Sequence, residues 1–261
     1  MGKITLEIIT SKNNQIIKDT KKLLSSSKYR AASLAFVLEG ARLCFDVLNS
    51  VYKPKLLLVT EKTAEKYREK IKQLVDASEH AYYISEEVAS KLSETENSQG
   101  IFIVCTMCSC ENEVLGSKVI ALDNVQDPSN VGAIIRTAEA LGIESLILYN
   151  CCDVFNAKTL RASMGSTLRA NIVQTKNLEE TLQTLKGKYN VYSTVPSDHA
   201  EKITDIDFSK PSICVIGNEA NGVEENIKTL SDALITIPML GRAESLNAGV
   251  AASITMWEML R

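Results

Sequence analysis

The chain has 261 residues, 45% apolar and 23% charged, with 29 Lys and Arg against 32 Asp and Glu for a net charge of −3. That length suits one large domain or two ordinary ones, and the apolar share excludes wholesale disorder. No apolar run reaches the roughly 20 residues that cross a bilayer and the start lacks a secretory signal's apolar stretch, so a cytoplasmic protein with no membrane partner is expected.

Apolar runs alternate with helical patterns along the chain, which predicts α/β architecture with largely parallel sheets. A basic helix over 12–28 leads to a strand at 34–38, a helix at 41–48 and a strand at 56–59. Tyr67, Ile71, Leu74 and Val75 repeat at helical spacing and predict one helix over 63–77. A short helix at 85–92 precedes a strand at 101–105. Residues 106–117 then lose any sustained apolar period and end in Gly-Ser. They divide the chain into a first domain, 1–108, a linker, 109–117, and a second domain, 118–261. The second domain reads as strands at 119–124, 146–149, 171–173, 191–194, 213–216 and 234–237. Helices at 131–141, 157–164, 178–185, 224–230 and 246–260 alternate with them.

Charge is unevenly spread over this plan. Residues 1–60 carry ten Lys or Arg against four Asp or Glu, whereas residues 111–261 carry thirteen against nineteen. A basic front on an acidic body can guide a polyanion to one face. The seven cysteines are scattered, and an odd count without a secretory signal points to free thiols. Cys105, Cys108 and Cys110 have part of a metal-site spacing. A structural zinc takes four ligands, and His80 and His199 offer no ligand spacing, so no metal is expected.

Three segments carry chemistry. In the first, Asp127-Pro128 ends a strand, Ser129 or Asn130 caps the next helix, and Gly142 closes it. Gly132, Arg136 and Glu139 share a face, on which Gly132 leaves room below the guanidinium of Arg136. In the second, the apolar strand 213–216 runs into Gly217-Asn218-Glu219-Ala220-Asn221-Gly222, residues that tolerate left-handed φ. A loop there, at a strand's carboxyl end, is a usual α/β ligand site. It has neither the GxGxxG pattern nor the P-loop Lys-Ser/Thr pair. In the third, Ile237-Pro238-Met239 offers carbonyls and apolar surface to a flat group. Ser245 is the expected cap of a last helix with a small-residue first half.

Together, in this order, the segments resemble the three motifs of the SpoU (TrmH-type) branch of the SPOUT RNA methyltransferases over about 118–261. Asn130, Gly132, Arg136, Thr137 and Ala138 fit the first motif and Gly217, Glu219 and Gly222 the second. Ile237-Pro238 with Ser245-Leu246-Asn247 fits the third. The stretch from Leu160 to Gly165 is similar to one in ribosomal RNA members. Tyr29-Arg30 and Phe36 to Gly40 look like the L30e-like substrate-binding domain of such enzymes. The resemblance implies a carboxyl-terminal domain with a deep trefoil knot, dimerisation through it, S-adenosylmethionine as cofactor, and methylation of a ribose 2′-hydroxyl in RNA. It implies Gly217, Ile237, Met239 and Leu246 as cofactor contacts, with Asn130, Arg136, Glu219, Ser245 and Asn247 at the reacting end. Arg136 is expected to clamp a phosphate and stabilise the developing oxyanion while Ser245 and Asn247 orient the hydroxyl; a transient base role for Arg136 stays open. Lys21, Lys22, Lys28, Arg30 and Arg161 are the expected RNA contacts. Large-subunit (23S) ribosomal RNA is the expected substrate. Transfer RNA and a catalytically idle RNA-binding protein are the alternatives.

Overall fold

The computed structural model describes residues 6–94, 98–107 and 115–261. Contacts divide the chain into two units, Met1–Ser109 with Phe155–Leu168, and Cys110–Val154 with Arg169–Arg261.

In chain order the first unit contains β1 (Ile8–Ile9), α1 (Gln15–Ser25), α2 (Ser27–Ser33), β2 (Ala35–Glu39), α3 (Ala41–Asp46), β3 (Lys53–Val59), α4 (Glu61–Lys66), α5 (Arg68–Ala77), β4 (His80–Ile84), α6 (Glu86–Leu92) and β5 (Ile101–Thr106). Among the described residues its sheet runs β1-β4-β3-β5-β2. β5 lies antiparallel to both β2 and β3, so this sheet is mixed where a largely parallel one was expected. Side chains alternate across the pleat, and the core splits accordingly. Phe36, Leu38, Leu57, Ile101 and Ile103 pack on one face, and Val37, Leu58, Phe102 and Val104 on the other.

Two expected helices are each divided. The basic helix breaks at Ser26, whose side chain accepts from the amide of Tyr29 and caps α2. The 63–77 helix breaks at Tyr67, while its apolar stripe continues through Ile71 and Leu74.

The second unit contains β6 (Lys118–Asp123), α7 (Pro128–Leu141) and β7 (Ser145–Tyr149). Next in the chain comes α8 (Ala157–Ala162), and it belongs to the first unit. There the Phe155 ring stacks on Phe36 with centroids 4.4 Å apart, and Leu160 and Leu168 are buried in the same cluster. The sequence placed this stretch in the second domain. Its apolar side chains instead fill the core beside β2.

The second unit resumes with β8 (Ile172–Thr175), α9 (Leu178–Leu185), β9 (Asn190–Thr194), β10 (Glu201–Lys202), β11 (Ser212–Ile216), α10 (Glu225–Leu230), β12 (Ala233–Thr236) and α11 (Ala248–Leu260). Its sheet runs β10-β12-β9-β11-β6-β7-β8, with every pairing parallel. All carboxyl ends therefore point the same way, and the central pair β6 and β11 delivers the first and second chemical segments side by side. Of the Cys105 cluster, Cys105 is buried, and Cys108 and Cys110 lie outside the described residues, as does most of the expected linker.

Candidate active site

At the carboxyl ends of the second sheet, a cavity of about 630 Å³ is lined by Gly217–Val223, Ile237, Met239 and Glu244–Ala248, among others. The second and third segments thus form one wall.

The glycine at the loop's entry has a steric cause. A Cβ on Gly217 would lie 2.1 Å from the carbonyl carbon of Gly222, so entry and exit touch backbone to backbone. Asn218 and Gly222 exchange two backbone hydrogen bonds of 2.9 Å each. Gly222 needs no side chain either, since its φ is +68°. Asn218 closes the turn from inside by accepting from the amides of Ala220 and Asn221. Its own amide donates to the carbonyl of Asn124 at 2.8 Å, lacing the loop to the segment after β6.

Glu219 hangs from this loop toward α7. Asn130 Nδ2 donates to Glu219 Oε1 at 2.9 Å, and Asn247 Nδ2 donates to Asn130 Oδ1 at 2.9 Å. The amides of Gln126 and Asp127 approach the same carboxylate at 3.4 Å each. Burial opposes ionisation of Glu219, but the donors around it, Asn130 foremost, outweigh burial and hold its carboxyl below the ordinary glutamate range. The result is a fixed negative charge at the cavity wall.

Three sequence expectations change here. α7 is capped by Asp127, which accepts from Ser129, with Pro128 in the first turn where no amide is needed. α11 is capped by Asn247, not Ser245: its Oδ1 accepts from Gly249 and Val250. The amide group of Asn247 is therefore engaged on both sides, whereas Ser245 is exposed on the cavity wall with no hydrogen bond among the described residues. Gly132 is buried, and the open surface beside Arg136 lies over Ala133.

Arg136 is on the outer stripe of α7, exposed and without a hydrogen bond or ion pair among the described residues. It does not line the cavity wall with Glu219 and Ser245. Asn130 is buried behind the wall and hydrogen-bonds two residues that line the cavity, Glu219 and Asn247.

The expected RNA contacts divide sharply. Lys21, Lys22 and Lys28 are exposed. Lys22 lies 3.4 Å from Asp19 and over the Tyr29 ring. Arg30 is only 3% exposed, and its Nη1 donates to the carbonyls of Leu23 and Leu24 at 2.6 and 3.0 Å. Those carbonyls belong to the last turn of α1, which lacks helical partners for them, so Arg30 is a buried cap and not an RNA contact. Arg161 lies in the first unit, 3.9 Å from Glu39 and 3.6 Å from Glu94, and its charge is balanced there. The sequence missed Lys91 on α6. Its charge presses the Lys21 ammonium below its ordinary pKa, so the two cations are close neighbours on an exposed surface. A lysine on a separate helix gave no local signal.

Both parts of the chain are similar to known proteins. Residues 117–257 match the model of the SpoU rRNA methylase family, and residues 14–102 that of the MRM3-like substrate binding domain. The chain is 35% identical over 253 residues to the 23S rRNA (guanosine(2553)-2′-O)-methyltransferase RlmP of Bacillus subtilis, covering 96% of this chain and 98% of that protein. It is 30% identical to an uncharacterized tRNA/rRNA methyltransferase of Synechocystis, over 97% of this chain and 93% of the other. The crystal structure of an AdoMet-bound rRNA methyltransferase from Sinorhizobium meliloti superposes with a TM-score of 0.86 at 29% identity, covering 97% of each chain.

Proposed function

The chain belongs to the SpoU rRNA methylase family and is an RNA 2′-O-methyltransferase, and from that premise we propose that it uses S-adenosylmethionine to methylate a ribose of 23S ribosomal RNA. The observation that carries the proposal is the single cavity that gathers the Gly217–Gly222 loop with Ile237, Met239, Ser245 and Leu246. Its chemistry fits the cofactor: Ile237, Met239 and Leu246 give apolar surface to a flat ring. Glu219 and Glu244 place acidic groups where a sulfonium cation would be stabilised. When bound, the cofactor supplies a methyl group on a positively charged sulfur, so the leaving group departs neutral and no metal is called for.

This chain's residues then have to hold the ribose hydroxyl in line, at roughly 3–3.5 Å from that methyl group. Arg136, exposed and free of protein partners among the described residues, clamps the adjacent phosphate and stabilises the charge that develops on the oxygen. A guanidinium keeps its proton in proteins, so the role is electrostatic, and the hydroxyl proton passes to solvent water as the oxygen takes the methyl group. Ser245 orients the hydroxyl from the cavity wall. Asn130 and Asn247 act through Glu219, holding its carboxylate in one place.

RNA arrives on the first unit, at Lys21, Lys22, Lys28 and Lys91, through phosphate contacts. The same reading includes a homodimer through the second unit, where α11 leaves Val250 and Trp257 47% and 60% exposed. It also includes a trefoil-knotted second unit and a cytoplasmic location. The deciding experiment maps 2′-O-methyl marks on RNA from cells with and without the gene. Loss of one 23S mark supports the proposal; intact 23S rRNA with a lost tRNA mark overturns the substrate.

A further inference from the structure

The Gly217–Gly222 loop is also held by a residue that is not among the motif positions named above. Asp123 is the last residue of β6 and fully buried. One of its carboxylate oxygens accepts from the backbone amide of Glu224 at 2.7 Å, and the other has no hydrogen-bond partner among the described residues. Glu224 is the second residue past the loop, after Val223, and the residue ahead of α10, where an amide has no helical partner of its own.

The neighbouring residue completes a pair of holds. The carbonyl of Asn124 accepts from Asn218 at the loop's entry, and the side chain of Asp123 accepts from Glu224 at its exit. Since a Cβ on Gly217 would collide with Gly222, entry and exit cannot shift independently. A displacement at Glu224 is therefore passed to Gly217 and to Glu219, both on the cavity wall. The titratable groups around Asp123 do not compete for its contact. The Cys151 thiol donates to the carbonyls of Leu122 and Tyr149, and burial pushes it up to about 12. The Glu224 side chain contributes repulsion only.

Burying a carboxylate with half its acceptor capacity unused is costly, and such groups in native folds call for a reason. Burial raises the Asp123 carboxyl above its ordinary range, against the pull of the Glu224 amide. An apolar residue at the end of a central parallel strand would pack there at lower cost. The cost is understandable if the contact serves the loop.

We infer that Asp123 is a positioning residue for cofactor binding: its hydrogen bond to the Glu224 amide sets the exit of the Gly217–Gly222 loop, and with it the cofactor's affinity. The inference rests on the reading of that cavity as the S-adenosylmethionine site.

The test is calorimetric titration of S-adenosylmethionine into the full chain, paired with steady-state kinetics on its RNA substrate. Asp123→Ala is expected to raise the cofactor Kd and KM about tenfold or more while kcat at saturating cofactor stays within about threefold. Asp123→Asn, which keeps an acceptor at the same place, is expected to restore Kd to within about threefold of the parent. If Asp123→Ala does not fold, Asp123→Val, an apolar side chain suited to the end of a buried strand, gives the same measurement without an acceptor. An alanine or valine variant that binds as the parent does, with only its melting temperature lowered, overturns the positioning role. An asparagine variant as weak as alanine overturns it too. A parent chain that does not bind the cofactor overturns the reading of the cavity itself, which separates the two failures.

Discussion

The two ends of the second sheet carry cavities of nearly equal size, about 620 Å³ at the amino ends of β6 and β11 and about 630 Å³ at their carboxyl ends. Their chemistry is opposite. At the amino end the charges are spent on the protein. Lys118 donates to the carbonyls of Phe208 and Lys210, Glu144 accepts from Ser117 and Lys118, and Glu258 pairs with Arg261 at 3.1 Å. At the carboxyl end Glu219 is fixed by donors from behind, while Ser245 stands exposed on the wall and Arg136 is exposed on α7, outside the lining. Volume does not distinguish a ligand site from a structural hollow; the disposition of polar groups does.

The sharpest attempt to break that contrast is at Arg136. Arg136→Ala should lower kcat about 10²- to 10³-fold with cofactor affinity unchanged in calorimetry. Arg136→Lys should recover little of it, because a point charge does not reproduce the fork. Near-normal turnover by the lysine variant with RNA still bound would sink the clamp. Next, Gly217→Ala sets a methyl group against the backbone at Gly222 and should weaken cofactor binding at least about tenfold. Undiminished binding would mean that the loop is not the wall it appears in the cavity.

A smaller effect belongs to the first unit. Lys21→Glu with Lys91→Glu should weaken RNA binding about tenfold at moderate salt and flatten the dependence of affinity on salt, with cofactor binding intact. An unchanged salt slope would remove that face from the RNA path. The smallest effect is expected at the amino-end cavity. The Ser117 hydroxyl and the amides beside Glu144 hold its carboxyl below the ordinary range. A lowered folded value makes its stabilising contribution complete above the unfolded pKa of about 4.3 and lost as pH falls through the folded one. Glu144→Gln should therefore shallow the acid limb of the stability curve, followed by circular dichroism, and leave methyl transfer at neutral pH unchanged. A loss of transfer would join the two ends functionally.

What was legible in the chain follows the range of the forces involved. α9 was bounded to the residue, Leu178–Leu185, because its apolar period and its cap are local. The candidate site was legible as three segments, since parallel strands bring their following loops together and the glycines of the second segment record backbone contact. The break at Tyr67 was hidden because the apolar stripe of α4 and α5 runs across it. β4 was missed since His80–Ile84 mixes polar and aromatic residues with no clean alternation. Arg30 and Arg161 were misjudged for a different reason. A charge in a basic run looks the same whether it faces solvent or caps the carbonyls of Leu23 and Leu24, and only the fold shows Glu39 and Glu94 beside Arg161.

The placement of Phe155–Leu168 in the first unit has a consequence for how such a chain can be inherited. The backbone passes between the units three times, so no single cut separates one from the other. Recombination that exchanged only the first hundred residues would leave Phe36 without Phe155 stacked on it and the cluster without Leu160 and Leu168. A change of RNA target by shuffling thus has to carry a short stretch from deep inside the other half of the gene. Point substitution on the lysine-bearing surface, by contrast, leaves the shared core untouched.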